Sequence, residues 1–439
     1  MRPSRIVFYG NFGAGNLGNE VTLQTAIEQT LARLPGAELL CVCTNPEDVR
    51  TRHGIAAAPA MSRDSGWSWR DLDVVRAPVA GSDTTPPGDL GARHGFAKHL
   101  ARLTRIVFRR APRELAHWYQ MLRLMTRTDV LLVPGTGIVT DGSCGSFGWP
   151  YDMFKLAVLA RLCGKQIVFL SVGAGPFRYR LGCWFIRVAL RLAHYRSYRD
   201  ADSRRRLEEI GFNTAGDTVY PDLVFGLGDA HLRGQPMQAP ARRVVGLGLK
   251  DYAMPTDAAD AGGYRSYLAA MADFVVWLQT QGFAVRLIIG DAQYDTRVRE
   301  DLIALLEGRG AAATQPLLLS DPVPSVAELL RQLRETDAVV SPRFHNLVLA
   351  LMLNKPVIAL SDLPKVDALL SDLGLAQYCL PLADISSDSL IVRFAELLAQ
   401  AGELKPSIES SVQKYRAALG EQYQAVLGKS GPLASTPPG

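Results

Sequence analysis

Arg5-Ile6-Val7-Phe8-Tyr9-Gly10-Asn11-Phe12-Gly13-Ala14-Gly15-Asn16-Leu17-Gly18-Asn19-Glu20 reads as an apolar strand, a glycine-rich turn and the opening of a helix. The run from Ile6 to Tyr9 is continuous rather than alternating, which suits a strand covered on both faces. A helix is predicted over Glu20–Leu34. The pattern Gly13-x-Gly15-x-x-Gly18 has the spacing of a dinucleotide-binding turn. That reading also asks for an acid at the end of the second strand, to hold a ribose. Here the second strand ends Cys41-Val42-Cys43-Thr44-Asn45-Pro46, and the loop from Gly10 to Gly18 is long for the fingerprint. We therefore read it as a loop whose backbone N–H groups approach a ligand closely. Gly13, Gly15, Asn16, Gly18 and Glu20 are its candidate contacts.

The same alternation runs outward from this segment. Strands are predicted at Glu38–Thr44, Asp129–Pro134, Gln166–Val172, Tyr195–Arg199 and Thr218–Tyr220. Helices are predicted at Tyr151–Cys163 and at Ser203–Ile210, the latter closed by Gly211. A polar, proline-bearing stretch, 228–243, reads as a linker. The pattern then restarts with Val244-Val245-Gly246-Leu247-Gly248-Leu249. Helix Tyr264–Gln281, strand Val285–Gly290, helices Thr296–Leu306 and Val326–Glu335, strand Ala338–Ser341, helix Asn346–Leu353 and strand Pro356–Leu360 follow. Strands and helices alternating at this length imply βαβ units. The expected fold class is α/β, with two Rossmann-like doubly wound domains facing a cleft. Their expected extents are 1–230 and 243–400, followed by a helical segment 401–428 and a disordered tail 429–439. Ligands in such sheets sit beyond the carboxyl ends of the strands.

Length and composition limit the function classes. A chain of 439 residues is long for one domain, and 48% hydrophobic residues are enough to give each of two domains a core. A net charge of +5 is mild for this length and does not suggest a nucleic-acid binder. No apolar leader with a small-residue cleavage site precedes the first strand. No run reaches the length of about 18 apolar residues needed for a span. The six cysteines form neither a CxxC pair nor a His/Cys cluster. A reduced, cytoplasmic setting without a structural zinc site is expected.

Residues 62–128 interrupt the alternation. Ser62 to Gly91 is rich in Asp, Pro, Gly and Ser, and cations dominate from Arg93 to Arg127. Phe96, Leu100, Leu103 and Val107 keep helical spacing, and Lys98, Arg102, Arg105 and Arg109 keep it two positions later. Two positions are about 200° on a helix, so the stripes face opposite ways. Peripheral membrane contact through 93–127 is one reading. A helix packed on its own domain with a solvated basic face is the other.

Chemistry-bearing residues collect at predicted strand ends. Gly135-Thr136-Gly137-Ile138-Val139-Thr140-Asp141 is a second glycine turn, whose Asp141 binds hydroxyls, acts as a base or serves as a local turn or cap. Gly173-Ala174-Gly175-Pro176-Phe177 is a third. Arg199 stands at the end of its strand, placed as a carboxylate or phosphate ligand. Asp222 and Lys365 read equally as site or surface charges. In Ser341-Pro342-Arg343-Phe344-His345-Asn346 a strand ends and a helix begins. Helix N-termini attract anions, Arg343 adds a forked cation, and His345 titrates near neutral pH. An ordinary ion pair and a core histidine would leave the same pattern.

Taken in order, these pieces resemble the polysaccharide pyruvyl transferase family. The resemblance rests on Gly10–Glu20, Gly135–Asp141, Gly173–Phe177, Arg199–Ser203, Asp222–Phe225, Arg343–His345 and Lys365, and covers roughly residues 5 to 375. Asn19 departs from it, since many members carry Asp there. The resemblance implies a GT-B-like pair of Rossmann-type domains. It also implies transfer of an enolpyruvyl-derived unit from phosphoenolpyruvate to a sugar. The product would be a pyruvate ketal on a polysaccharide or its lipid-linked precursor. Phosphoenolpyruvate is then a co-substrate, and no cofactor or metal is called for. The acceptor falls to the first domain and phosphoenolpyruvate to the second, with Arg199 and Arg343 holding its anionic groups and His345 as general acid. The competing readings are a sugar-nucleotide glycosyltransferase of the same fold, a nicotinamide-dependent oxidoreductase and a non-enzymatic sugar-binding protein. Oligomeric state is left open.

Overall fold

The protein is described here from a computed structural model. It describes residues 4–61, 111–234, 242–251, 261–309 and 317–428. The predicted loop at Ser62–Gly91, the basic stripe from Phe96 to Arg109, residues 235–241 of the predicted linker and the predicted tail 429–439 lie outside them.

Two parallel sheets are present among the described residues. The first has the order β3-β2-β1-β4-β5-β6-β7. Its strands are β1 (Arg5–Gly10), β2 (Glu38–Cys43), β3 (Ala56–Pro59), β4 (Val130–Pro134), β5 (Gln166–Val172), β6 (Tyr195–Tyr198) and β7 (Thr218–Val219). The second has the order β10-β9-β8-β11-β12-β13. It comprises β8 (Val244–Leu249), β9 (Ala284–Ile289), β10 (Leu318–Leu319), β11 (Ala338–Ser341), β12 (Val357–Ser361) and β13 (Cys379–Pro381). Each order starts in its middle, runs to one edge and returns to the other side. This is doubly wound topology, and it puts a switch point between β1 and β4 and another between β8 and β11.

The continuous apolar runs behave as parallel central strands should. Every residue of β4, β8, β9, β11 and β12 is buried. In the first sheet Leu131, Val133, Ile167 and Phe169 pack with Met153, Leu156 and Ala160 of the helix Trp149–Leu162. In the second, Leu247, Val285, Leu287, Val339 and Ile358 are buried, as are Leu347 and Leu351 of the helix Phe344–Met352.

The chain divides into two compact units. The first comprises Met1–Asn11, Leu34–Val219 and Val426–Gly439; the second comprises Phe12–Arg33 and Tyr220–Ala425. The chain passes from the first unit to the second at Val219/Tyr220, ahead of the expected linker, and the units differ from the expected extents at two further places. The glycine turn and the helix Leu17–Arg33 group with the second unit, although β1 belongs to the first. The expected break at 400 is also absent, since one helix runs Ser387–Leu427 with Pro406 inside it. Arg416 fastens this helix by donating to the carbonyls of Phe225 and Leu227 and to Asp229. Sequence patterning does not reveal such pairings, because the partners lie nearly two hundred residues apart.

Other boundaries move by a few residues. The first helix starts at Leu17 rather than Glu20, and the helix after β11 starts at Phe344 rather than Asn346. The short helix Pro46–His53 is set by Asn45, whose side chain accepts from the N–H groups of Glu47 and Asp48. The helix Arg180–Leu192, unassigned from the sequence, lies beside Trp149–Leu162.

Gly248 shows how tightly the second sheet is built. A Cβ there would fall 2.1 Å from Ser341 Oγ and 3.1 Å from Ser341 Cα. Gly248→Ala is expected to destabilise the protein by about 1–3 kcal/mol, the usual cost of overpacking. A urea midpoint unchanged from that of the parent chain would contradict this packing.

Candidate functional site

The second unit gathers polar residues at the carboxyl ends of four neighbouring strands. Lys250 and Asp251 follow β8, Gly290 and Asp291 follow β9, Arg343 and His345 follow β11, and Asp362 follows β12. Asp295 ties three of these ends together. Its side chain is fully buried. It accepts from the backbone N–H of Asp291 at 2.9 Å, of Gly290 at 3.3 Å and of Asp251 at 3.2 Å. Arg343 donates Nε to it at 3.0 Å and pairs with it again through Nη2. Burial raises the Asp295 carboxyl above its usual range, with Arg343 pulling the other way.

This geometry narrows the forked clamp expected at Arg343. The Nε/Nη2 edge is spent on Asp295, which leaves the Nη1 end for a ligand. The pairing was not visible in the sequence, because Asp295 sits 48 residues upstream at the start of a different helix. Lys250, which sequence reasoning missed, is ion-paired with Asp362. Burial lowers its ammonium below the usual range, and Asp362 opposes that shift. The Lys365 ammonium lies 5.0 Å over the Phe344 ring.

His345 is held by two features. Its ring rests on Gly18, where an added Cβ would meet Nδ1 at 1.9 Å. Its Nε2 faces Asp222 Oδ2 at 3.9 Å, an ion-pair separation. Asp222 is 3% exposed and caps the turn Leu223–Gly226 by accepting from the Val224 N–H. The sequence had left Asp222 as either site or surface; burial and the imidazole settle that it is no surface charge. Beside it Asn346 is buried, and its Nδ2 has no hydrogen-bond partner among the described residues. Arg343 takes the N-cap position of this helix without a side-chain cap. The start of this helix carries the partial positive charge of its dipole, which favours an anion.

The glycine turn belongs to the same neighbourhood. Leu17 N–H donates to the Gly290 carbonyl and Ala292 N–H to that of Gly15, both at 3.0 Å. Asn16 Nδ2 reaches Asp291 Oδ2 at 3.0 Å. Gly13 and Gly15 both take positive φ, at 77° and 81°, which few other residues adopt cheaply. Glu20 is buried and accepts the Gly13 N–H at 2.8 Å. It closes the loop through this bond.

The first unit has its own cluster. Arg199 lies across Gly173, where a Cβ would meet the guanidinium at 2.5 Å, and 3.7 Å from the corresponding point on Gly137. Its side chain is largely buried, with Asp200 at 3.4 Å. The turns are stitched to one another by backbone bonds. Gly173 N–H donates to Thr136, Gly175 N–H to Val139 and Gly135 N–H to Leu170. Asp200 caps the helix Ala201–Glu209 through the Ser203 N–H. Asp141 is fully buried and accepts from the N–H groups of Arg178 at 2.6 Å and Tyr179 at 3.0 Å. Among the readings of Asp141, these bonds fit a local backbone anchor. Among the described residues no group of three or more His, Cys, Asp or Glu is arranged to hold a metal ion.

The cap made by Asp222 is testable by stability. Asp222→Ala is expected to destabilise the protein by about 0.5–2 kcal/mol, the usual cost of losing a capping carboxylate, read as a lowered urea midpoint. An unmoved midpoint would show that the Val224 N–H does not depend on this carboxylate.

Comparisons with known proteins agree with this architecture. A structure of Anabaena Alr3699/HepE in complex with UDP matches with a TM-score of 0.56 and 12% identity, covering 96% of this chain and 100% of that one. A glycosyltransferase from Rickettsia africae matches with a TM-score of 0.55 and 9% identity, over 98% and 100%. UDP-GlcNAc 2-epimerase from Neisseria meningitidis gives 0.52 and 10%, over 96% and 100%. At such identities the likeness concerns the fold, which is GT-B-like. No curated protein matches the sequence significantly. The family model for polysaccharide pyruvyl transferase matches residues 16–362. Because that match runs through most of the chain, from the glycine turn to the end of β12, the chain belongs to the polysaccharide pyruvyl transferase family and is a transferase.

Proposed function

We propose that the protein moves the enolpyruvyl-derived unit of phosphoenolpyruvate onto two hydroxyls of one sugar, forming a pyruvate ketal. The acceptor is a polysaccharide or its lipid-linked precursor. The observation that carries this reading is His345, fixed between Gly18 and Asp222 at an uncapped helix mouth beside Arg343. A proton donor next to an anion-seeking helix end is what a phosphorylated enol requires.

The chemistry closes without a cofactor. His345 delivers a proton to the methylene carbon, which becomes a methyl group and leaves positive character on the neighbouring carbon. One sugar hydroxyl adds there, phosphate departs with its bridging oxygen, and the second hydroxyl completes the ketal. The two hydroxyl protons restore the one donated and protonate the phosphate. In this reading the Arg343 Nη1 end, Lys365 and the Asn346 amide hold the donor's anionic groups, and Gly13, Gly15 and Asn16 shape the loop beside them. Arg199, expected to hold an anionic group of phosphoenolpyruvate, is read here only as a substrate-binding residue of the first unit, with Gly135, Gly137, Gly173 and Gly175.

Among the described residues no helix is long and apolar enough to cross a membrane. The predicted contact through 93–127 is described only in part. Its last portion is the helix Ala111–Thr126, which exposes Leu115, Tyr119, Arg113 and Arg123. Peripheral association and a cytoplasmic location remain within this proposal.

The test is incubation with phosphoenolpyruvate and candidate acceptors, following phosphate release and the mass gained by the sugar. His345→Ala is expected to lose roughly 10²–10⁴ in turnover, the range for a positioned general acid, with an unchanged circular dichroism spectrum. Turnover of a sugar nucleotide without phosphate release from phosphoenolpyruvate would replace this reading by glycosyl transfer.

A further inference from the structure

The helix Arg180–Leu192 carries an exposed face that the proposed chemistry does not use. Its sequence is Arg180-Leu181-Gly182-Cys183-Trp184-Phe185-Ile186-Arg187-Val188-Ala189-Leu190-Arg191-Leu192, with no Asp or Glu. Gly182, Phe185, Ile186, Ala189 and Leu190 are buried against the first unit. The opposite face presents Arg180, Leu181, Trp184 and Arg191, with Arg187 and Val188 half-buried between them and Arg187 donating to the Ile210 carbonyl. Trp184 is 45% exposed and Leu181 41%. Trp184 is supported from below by Phe154 and Phe185, with ring centroids 5.4 and 5.3 Å away.

We infer that this face docks the first unit on an anionic lipid bilayer. Two exposed arginines, Arg180 and Arg191, on a helix without one acid match a negatively charged surface. Trp and aliphatic side chains set among them suit the headgroup–acyl boundary, where an indole is apolar on its faces and polar at its N–H. A nucleic-acid backbone would use the arginines but give Leu181 and Val188 no partner. A second copy of the same face would bring arginines against arginines.

The face is joined to the turns of the first unit. Arg178 and Tyr179, which lead into the helix, donate their N–H groups to Asp141 at the end of the Gly135–Asp141 turn. Docking through this helix therefore brings the Arg199 cluster toward the bilayer. That consequence rests on the proposed function, in its lipid-linked form. The docking itself does not, since it needs neither donor nor acceptor.

Co-sedimentation with vesicles decides the matter. The full-length protein is expected to bind vesicles of phosphatidylcholine and phosphatidylglycerol in equal amounts, to ignore pure phosphatidylcholine, and to be released by high salt. Arg180→Ser combined with Arg191→Ser is expected to lower partitioning by roughly 10-fold or more. Leu181→Ser, which removes apolar contact without touching charge or the ring cluster, is expected to lower it less but measurably. Absence of binding by the parent chain would overturn the inference. So would binding that both variants retain, which would place the contact elsewhere, and so would equal affinity for RNA that both variants retain. Phosphoenolpyruvate turnover measured separately keeps failure of docking distinct from failure of the donor assignment.

Discussion

The second unit is organised around one buried carboxylate. Asp295 starts the helix after β9, yet its two oxygens serve the backbone of Gly290, Asp291 and Asp251 and the guanidinium of Arg343. A charge withdrawn from water this far must be paid back by hydrogen bonds, and four donors from three strand ends supply them. The same bonds fix the loop after β9, which holds the glycine turn through Gly290, Asp291 and Ala292. Arg343, held on this side, sets the start of the helix that carries His345. Removing the carboxylate would leave a buried guanidinium and three backbone donors without their acceptor.

A second constraint is the absence of side chains at chosen places. Gly18 leaves room for the His345 ring, Gly173 for the Arg199 guanidinium, and Gly248 for the Ser341 hydroxyl. That hydroxyl in turn accepts the Arg343 N–H at 3.1 Å. None of these three glycines is needed for a positive φ; each is needed because another residue occupies the volume a Cβ would take. The glycines of Gly13-x-Gly15-x-x-Gly18 thus divide their work. Gly13 and Gly15 permit the turn, and Gly18 admits the imidazole. A dinucleotide fingerprint and this arrangement share a spacing while serving different neighbours.

Much of the architecture was legible from the chain. Continuous apolar runs such as Val130–Val133 and Val244–Leu249 announced parallel strands buried on both faces, because only a doubly covered sheet tolerates them. The turns after β4, β5, β6 and β11 were found at the positions where such sheets bind ligands. The short helices and edge strands were harder. Pro46–His53 and Ala56–Pro59 carry little periodicity, and the polar bias of the first and the bare alanines of the second are compatible with a loop. The helix Arg180–Leu192 was hidden by its own arginines, which sit on one face only when the helix is wound.

Local patterning therefore determined the α/β alternation, the doubly wound class and the residues available at the strand ends, since these follow from side-chain periodicity and turn chemistry within short windows. Tertiary structure alone decided what those residues do to one another. It turned Arg343 toward Asp295, Glu20 toward Gly13 and Asp141 toward the Arg178 and Tyr179 amides, and it brought Asp222 to His345. It also moved the first helix from the unit of its own strand to the other unit. Each of these depends on groups far apart in the chain, made neighbours by burial, where an unpaired charge or donor costs more than the bond that satisfies it.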